Sequence, residues 1–294
     1  MIILCSYSCQ QITGHEEVAH ASPIVIDSLP KEKPMPKKYK NLLNFQTIKI
    51  AGHAVDIVLP DSGVAYAGNI VVLPGYNYAR THWCEQTHAP QLCSLAKAKG
   101  YLLIMPEMGR SVYSSAFFPE TKVDLKQYPR RQWLTDSVFS YLQKQHDLLL
   151  LEQNNYLLGL STGGRGVALV ALDKPELFSA AAALSGDFDQ TKMSSDKLMT
   201  NYYGTFLKFK GRWKTIDNVL HRIKEWKTPI YLGHGQMDKI VPPQQTKLFY
   251  DSLLVHFDST KIELHEPKES AHDYKYWGSE TAAVLDFFTN HKRD

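Results

Sequence analysis

A single serine stands between glycines in "GLSTG", residues 159–163, within the longer stretch "NNYLLGLSTGGRGVALVALDKPELF". An apolar run precedes it and a run rich in alanine and valine follows. A serine hydroxyl is a weak nucleophile at neutral pH. It attacks a carbonyl only when a histidine takes its proton and a carboxylate holds that histidine in the right tautomer. Two later stretches supply those residue types. "YLGHGQMDKIVP" places Asp238 after an apolar run, and "PKESAHDYKYW" places His272 between a strand pattern and a helical one. The order Ser, acid, His is the order that accompanies a G-x-S-x-G turn. Ser161, Asp238 and His272 are therefore the candidate catalytic residues, for acyl chemistry through a covalent intermediate.

Such chemistry also needs donors for a developing oxyanion. The N–H of Thr162, at the start of the helix after the serine, is one candidate. The N–H of Tyr76, in the loop after "VVLPG", is the second, with Gly75 allowing close approach and Asn77 as an alternative donor. Other acids and histidines fit less well. Asp187 and Asp189 come one strand too early, and "SGDF" reads as a turn. His234 ends a strand and reads as a satisfied structural histidine. His265 lies inside the last strand pattern, and Asp273 reads as surface charge or a loop cap.

The elements that must position these groups are legible as alternating patterns. "NFQTIKIAGHAVDIVLP" alternates on both sides of Gly52, as a hairpin does. "NIVVLPGY", "GYLLIMPEMG", "NYLLGLS", "SAAAALSGDF" and "TPIYLGHGQMD" are short apolar runs ended by turn residues, which predicts buried parallel strands. "KIELHEP" is a more polar last strand. Helical spacing covers roughly 90–99, "RQWLTDSVFSYLQKQHD", the segment after Ser161 and "GSETAAVLDFFTNHK". Strands alternating with helices predict an α/β fold: a mostly parallel, twisted sheet with helices on both faces. Small residues around Ser161 would let strand and helix pack closely, so that the hydroxyl stands on a sharp turn at a positive helix end.

Composition narrows the classes. Of 294 residues, 44% are hydrophobic and 21% charged, ordinary for a globular chain, and the net charge of +3 is spread along it. No concentrated basic face suggests nucleic acid as a partner. No apolar run reaches the roughly 18–20 residues that span a bilayer. Residues 1–40 read as an N-terminal extension, with "LPKEKPMPKKYK" as a linker, and 41–294 as the folded domain. The first residues admit two readings. The Ala19–His20–Ala21 triplet resembles a cleavage site, which points to export to the cell envelope. The absent basic start and the acidic Glu16 and Glu17 point instead to an untethered tail on a cytoplasmic protein. Of the four cysteines, Cys5 and Cys9 fall in that extension; Cys84 and Cys93 either pair with each other or stay as free thiols. No cysteine–histidine spacing suggests a metal, and no cofactor is expected.

Taken with their order, these stretches resemble the α/β-hydrolase superfamily. Within it they resemble the esterase group that contains S-formylglutathione hydrolases and esterase D. The resemblance spans roughly 45–290 and rests on "GLSTGGRGVALVALDKPELFSAAAALSGDFD", "RRQWLTDSVFSYLQKQ", "NYYGTFLKFKGRWKTIDNV", "HGQMDKIVP" and "SAHDYKYW". It implies Ser161 as nucleophile, Asp238 as acid, His272 as base and then acid, and the Thr162 and Tyr76 amides as the oxyanion hole. The implied activity is hydrolysis of a carboxylic ester or thioester in a small molecule. The loop "LPGYNYARTHWCEQ" departs from the threonine- and cysteine-bearing loop of formylglutathione hydrolases, which weighs against a thioester. An acyltransferase or peptidase would use the same triad, and a binding protein of this fold would usually have lost one member of it. Gly75, Tyr78, Trp83 and Trp277 are the candidate substrate contacts, among aromatics that also include Tyr113, Phe117, Phe118, Tyr274 and Tyr276. The alternative is that these rings pack loops onto the body. Residues 190–228 form a small insertion, too short for a large cap.

Overall fold

The computed structural model describes residues 45–85 and 92–293. The expected extension over 1–40, with its cleavage-like triplet, Cys5 and Cys9, lies outside the described residues. The apolar runs form one eight-stranded sheet. Its strands are β1 (Phe45–Ile50), β2 (His53–Val58), β3 (Gly68–Leu73), β4 (Tyr101–Pro106), β5 (Asn155–Leu160), β6 (Ala180–Leu184), β7 (Ile230–Gly233) and β8 (Ile262–His265). They lie in the order β1-β2-β4-β3-β5-β6-β7-β8. The β1–β2 hairpin and the β2–β4 pair are antiparallel; every pair from β4 to β8 is parallel. This is the expected mostly parallel α/β sheet.

Side chains alternate between the two faces, as the pleat requires. Val71, Leu73, Leu157, Ala181 and Ala183 enter one apolar layer. Ile70, Val72, Leu158, Ala182 and Leu184 enter the other. The first layer is closed by α3 (Phe139–His146), α4 (Thr162–Asp173) and α7 (Gln244–His256), through Leu142, Val167, Val170 and Phe249. The second is closed by α2 (Leu92–Ala98) and α9 (Thr281–Asn290), through Leu92, Ala96, Val284 and Phe288. Both faces are covered, so the central strands can be apolar throughout. The outermost strand β8 is only partly buried, which matches its polar sequence.

Two features were not anticipated, and a third decides an open reading. The predicted helix over 131–147 begins as a π-helical turn, Trp133–Val138, before becoming α3. Helix α7 follows Pro242 and Pro243 but carries no clear apolar stripe; only Gln245, Thr246, Phe249 and Leu253 are buried. Finally, Cys84 and Cys93 are joined by a disulfide, their Cα atoms 5.2 Å apart, tying the short helix α1 (His82–Glu85) to α2. Of the two readings left open for this pair, bridge or free thiols, the structure has the bridge.

The insertion between β6 and β7 contains α5 (Lys197–Tyr203) and α6 (Lys210–Trp213). Met199, Tyr202, Tyr203 and Trp213 form a third apolar cluster with Val112 and Leu125, against which Tyr76, Phe117 and Phe118 pack. Beneath it lies a buried ionic junction. Arg131, fully buried, donates through Nε to Asp173 at 2.5 Å and through Nη1 to Asp217 at 2.9 Å and to the carbonyl of Tyr113 at 2.7 Å. Asp217 also accepts the Ser115 N–H. Removing one partner of a buried pair strands the other charge, at a cost of about 3–5 kcal/mol. Arg131→Met is therefore expected to lose stability of that order in a denaturant titration. Arg131→Met/Asp217→Asn should recover a large part, because its lone buried carboxylate has gone; equal losses in both would count against an electrostatic role.

Candidate active site

The nucleophile turn follows from crowding. Strand β5 ends at Leu160 and α4 begins at Thr162, so Ser161 makes the whole turn, with φ 55° and ψ −128°. A non-glycine residue pays of order 1–3 kcal/mol for such a conformation, and it persists only where the surroundings impose it. They do so here. A Cβ on Gly163 would lie 2.2 Å from the carbonyl oxygen of Leu73, and one on Gly159 would lie 2.4 Å from that of Gly163. The Ser161 N–H donates to the carbonyl of Leu184 at 2.8 Å, which fixes the turn to β6.

The three residues picked from the chain converge at this turn. Ser161 Oγ lies 3.0 Å from His272 Nε2, and His272 Nδ1 lies 2.6 Å from Asp238 Oδ2. The other carboxylate oxygen, Oδ1, accepts the N–H groups of Ile240 and Val241 at 2.8 and 2.9 Å. Burial alone would raise the Asp238 pKa. Hydrogen bonds from His234, His272 and Val241, with the nearby His272 imidazole, outweigh it and hold this carboxyl well below the usual carboxylate range. Asp238 is thus ionised at any pH where the protein would work. The arrangement can pass the serine proton to the imidazole while the acid holds Nδ1–H in place.

The loop after β3 sits directly on the nucleophile. A Cβ on Gly75 would fall 3.1 Å from Ser161 Cβ. Asn77 N–H donates to the carbonyl of Gly109 and Tyr78 N–H to that of Gly75. With the Asn77 amide engaged, the Tyr76 amide is the better candidate donor. The Tyr76 phenol oxygen accepts from Arg110 Nε at 2.8 Å, and Arg110 also pairs with Asp124. Thr162 is the first residue of α4, where helical N–H groups have no acceptor inside the helix.

The rival residues have other partners. Asp187 is buried against Arg165 of α4 at 3.0 Å. Asp189 caps the turn at Thr191 and accepts from Asn218. His265 bonds to the Glu280 carboxylate, and Asp273 caps α8 (Tyr274–Ser279) by accepting from Tyr276 N–H. The aromatic expectations need correction. Trp83 is 3% exposed and Trp277 0% exposed, so neither offers a face to a ligand. Trp277 donates through Nε1 to Ser185 Oγ and stands edge-on to the His272 ring at 4.9 Å. Tyr78 is packed edge-on to Tyr274 and Trp277. The buried Trp83 and Trp277 pack loops onto the body, as in the second of the two readings given above, while Tyr78 is only partly buried. The buried arginines 131 and 165 and the Arg110 contact escaped sequence reading, because an arginine's spacing says nothing of its partner.

The prolyl oligopeptidase family profile matches residues 87–293, more than half of the chain. The chain belongs to the prolyl oligopeptidase family. It is a serine hydrolase with the α/β-hydrolase fold. Among solved structures it is similar to FphF, a fluorophosphonate-binding serine hydrolase of Staphylococcus aureus, at 18% identity and a TM-score of 0.65, covering 84% of this chain and 99% of that one. It is also similar to an S-formylglutathione hydrolase of Agrobacterium tumefaciens, at 15% identity and TM-score 0.63, covering 82% and 90%. A third is MPT51 of Mycobacterium tuberculosis, at 14% identity and TM-score 0.66, covering 86% and 100%. At such identities the likeness is one of fold. No curated protein matches the chain at a significant level. No helix among the described residues is long and apolar enough to cross a membrane.

A methyl group at Gly75 would press on Leu160, Tyr78 and Ser161 at 2.8, 2.9 and 3.1 Å. Gly75→Ala is expected to lower the melting temperature by a few degrees, as overpacking does, and to slow fluorophosphonate labelling of Ser161 in the folded fraction by about tenfold or more, since one oxyanion donor is worth about 100-fold or more in rate. Labelling at the normal rate would remove this loop from the site.

Proposed function

We propose that the protein hydrolyses carboxylic esters of small molecules through an acyl-enzyme on Ser161. The observation that carries the reading is the unbroken relay from Ser161 Oγ through His272 to Asp238, at 3.0 and 2.6 Å. His272 Nε2 takes the hydroxyl proton as Oγ attacks the ester carbonyl. The imidazolium is stabilised by Asp238 and then gives its proton to the departing alcohol. Water enters, loses a proton to His272 and attacks the acyl carbon; the acyl–Oγ bond breaks, His272 returns the proton to Ser161 Oγ, and the acid leaves. The amides of Thr162 and Tyr76 hold the oxyanion in both steps. Tyr76, Phe117 and Phe118, partly buried against the cluster of the insertion, are the apolar side chains we assign to the substrate. The hydrolase domain is assigned to 41–294, with 1–40 as an extension.

Ester over thioester is favoured by the loop "LPGYNYARTHWCEQ". A second reading, peptide cleavage, is favoured by the family itself. Short p-nitrophenyl esters and aminoacyl p-nitroanilides separate the two. Esters are expected to turn over, anilides far more slowly, and Ser161→Ala is expected to lose at least about 1,000-fold in kcat on whichever is used. Faster cleavage of anilides would replace the esterase reading with the peptidase one. Full activity in Ser161→Ala would discard both.

A further inference from the structure

The acid of the triad is held by two histidines. His234, at the end of β7, has a wholly buried side chain. Its Nε2 faces two acceptors, Asp238 Oδ2 at 3.1 Å and the carbonyl of Val241 at 3.0 Å. Neither can donate when Asp238 is ionised, so Nε2 must carry the ring proton. Nδ1, 2.6 Å from Thr246 Oγ1, is then the acceptor of that hydroxyl. Its neighbours thus select the Nε2–H tautomer, and the neutral imidazole satisfies all three partners.

The Nε2–H of His234 points at Oδ2, the same oxygen that receives Nδ1–H of His272. With the Ile240 and Val241 amides on Oδ1, the buried carboxylate is surrounded by four N–H donors. Each donor takes a share of the charge and leaves less for the others. We infer that His234 is a positioning residue that sets how strongly Asp238 draws the imidazolium of His272, and so at which pH the nucleophile becomes active; this rests on the triad proposed above. The location of Thr246 in the first turn of α7 gives this helix a role at the site, through the Thr246–His234–Asp238 chain.

The ionisable groups around this chain are few. Asp238 faces His234, His272 and, at longer range, Tyr276. His272 faces Asp238 and, more distantly, Asp187, which is paired with Arg165; Asp273 is its neighbour in the chain. None of these is altered by substitution at position 234. Loss of the His234 donor leaves more charge on Oδ2, strengthens its hold on the His272 cation, and moves the acid limb of kcat/KM to higher pH.

The test is the pH profile of ester hydrolysis for His234→Leu and His234→Gln. Leu removes the donor, whereas Gln can keep an N–H near the Nε2 position. The acid limb of His234→Leu is expected to rise by about half a pH unit or more, with that of His234→Gln close to the original. Active-site titration with a fluorophosphonate corrects for unfolded protein. If the Leu variant does not accumulate folded, His234→Asn, too short to reach Oδ2, is read in its place with the same expectation. A lowered rate with an unmoved limb in the donor-free variant would overturn the inference and leave His234 a packing residue. That result is distinct from failure of the triad, which would show as retained activity in Ser161→Ala.

Discussion

The structure turns on the close approach of α4 to the ends of β5 and β3, which leaves no room for a side chain at position 159 or 163. The carbonyls of Leu73, at the end of β3, and of Pro74 after it occupy the space at 163, and the Gly163 carbonyl that at 159. Because β3, β5 and β6 are neighbours in the sheet, the turn is gripped from both sides: the end of β3 presses on it, and the carbonyl of Leu184 at the end of β6 accepts its N–H. An unfavourable backbone conformation at one serine is thereby maintained by the packing of three strands and a helix. Ala181 and Ala183 of β6 serve the same end, since these small side chains face the layer that holds α4 and let its glycine-rich first turn lie close to the sheet. Strain localised in this way aims the hydroxyl out of the sheet, towards the loops that carry the other groups.

The charge on Asp238 is the second constraint. A carboxylate with no exposed side-chain surface would be costly without donors. The loop after β7 provides two backbone amides and a histidine from its own few residues, so the acid is largely satisfied before His272 arrives. Order at the acid is therefore local to the β7–α7 connection. His272 arrives on a separate loop, after β8, and its ring is backed by Trp277. The relay joins two independently built pieces, and each can be disturbed without unfolding the other.

Much of this was legible in the sequence because the responsible signals are short-range. A buried strand, a small-residue turn and a helix follow each other within twenty residues around Ser161, and Asp238 and His272 each follow a strand directly. The strand order of the sheet has no such local mark, and neither does the pairing of Arg131 with Asp217, 86 residues apart. Helix α7 escaped notice because it buries mainly Phe249 and Leu253 along with the polar Gln245 and Thr246, so its apolar periodicity is thin. Trp83 and Trp277 were misplaced for a related reason. Their positions in loops after strands are those of substrate contacts, but a loop over a parallel sheet must also be anchored, and large rings are the means.

That misplacement changes where specificity should be sought. Tyr78, Trp83, Tyr274 and Trp277 make a continuous set of edge contacts, and His272 joins it through Trp277. The set connects the loop carrying Gly75 and Tyr76 to the loop carrying the histidine, and the Cys84–Cys93 bridge lies at its outer end. Rings committed to holding two loops together cannot also adapt to a substrate. The aromatic set against the insertion is built otherwise. Tyr76, Phe117 and Phe118 are only partly buried, and they lean on α5 and α6 of the insertion rather than on the sheet. Arg110 and Arg212 sit over Tyr76 and Phe118 as cations at 5.5 and 4.7 Å, adding charge at the edge of this set. One set of rings is thus tied to the loops that carry the catalytic groups, and the other to the insertion.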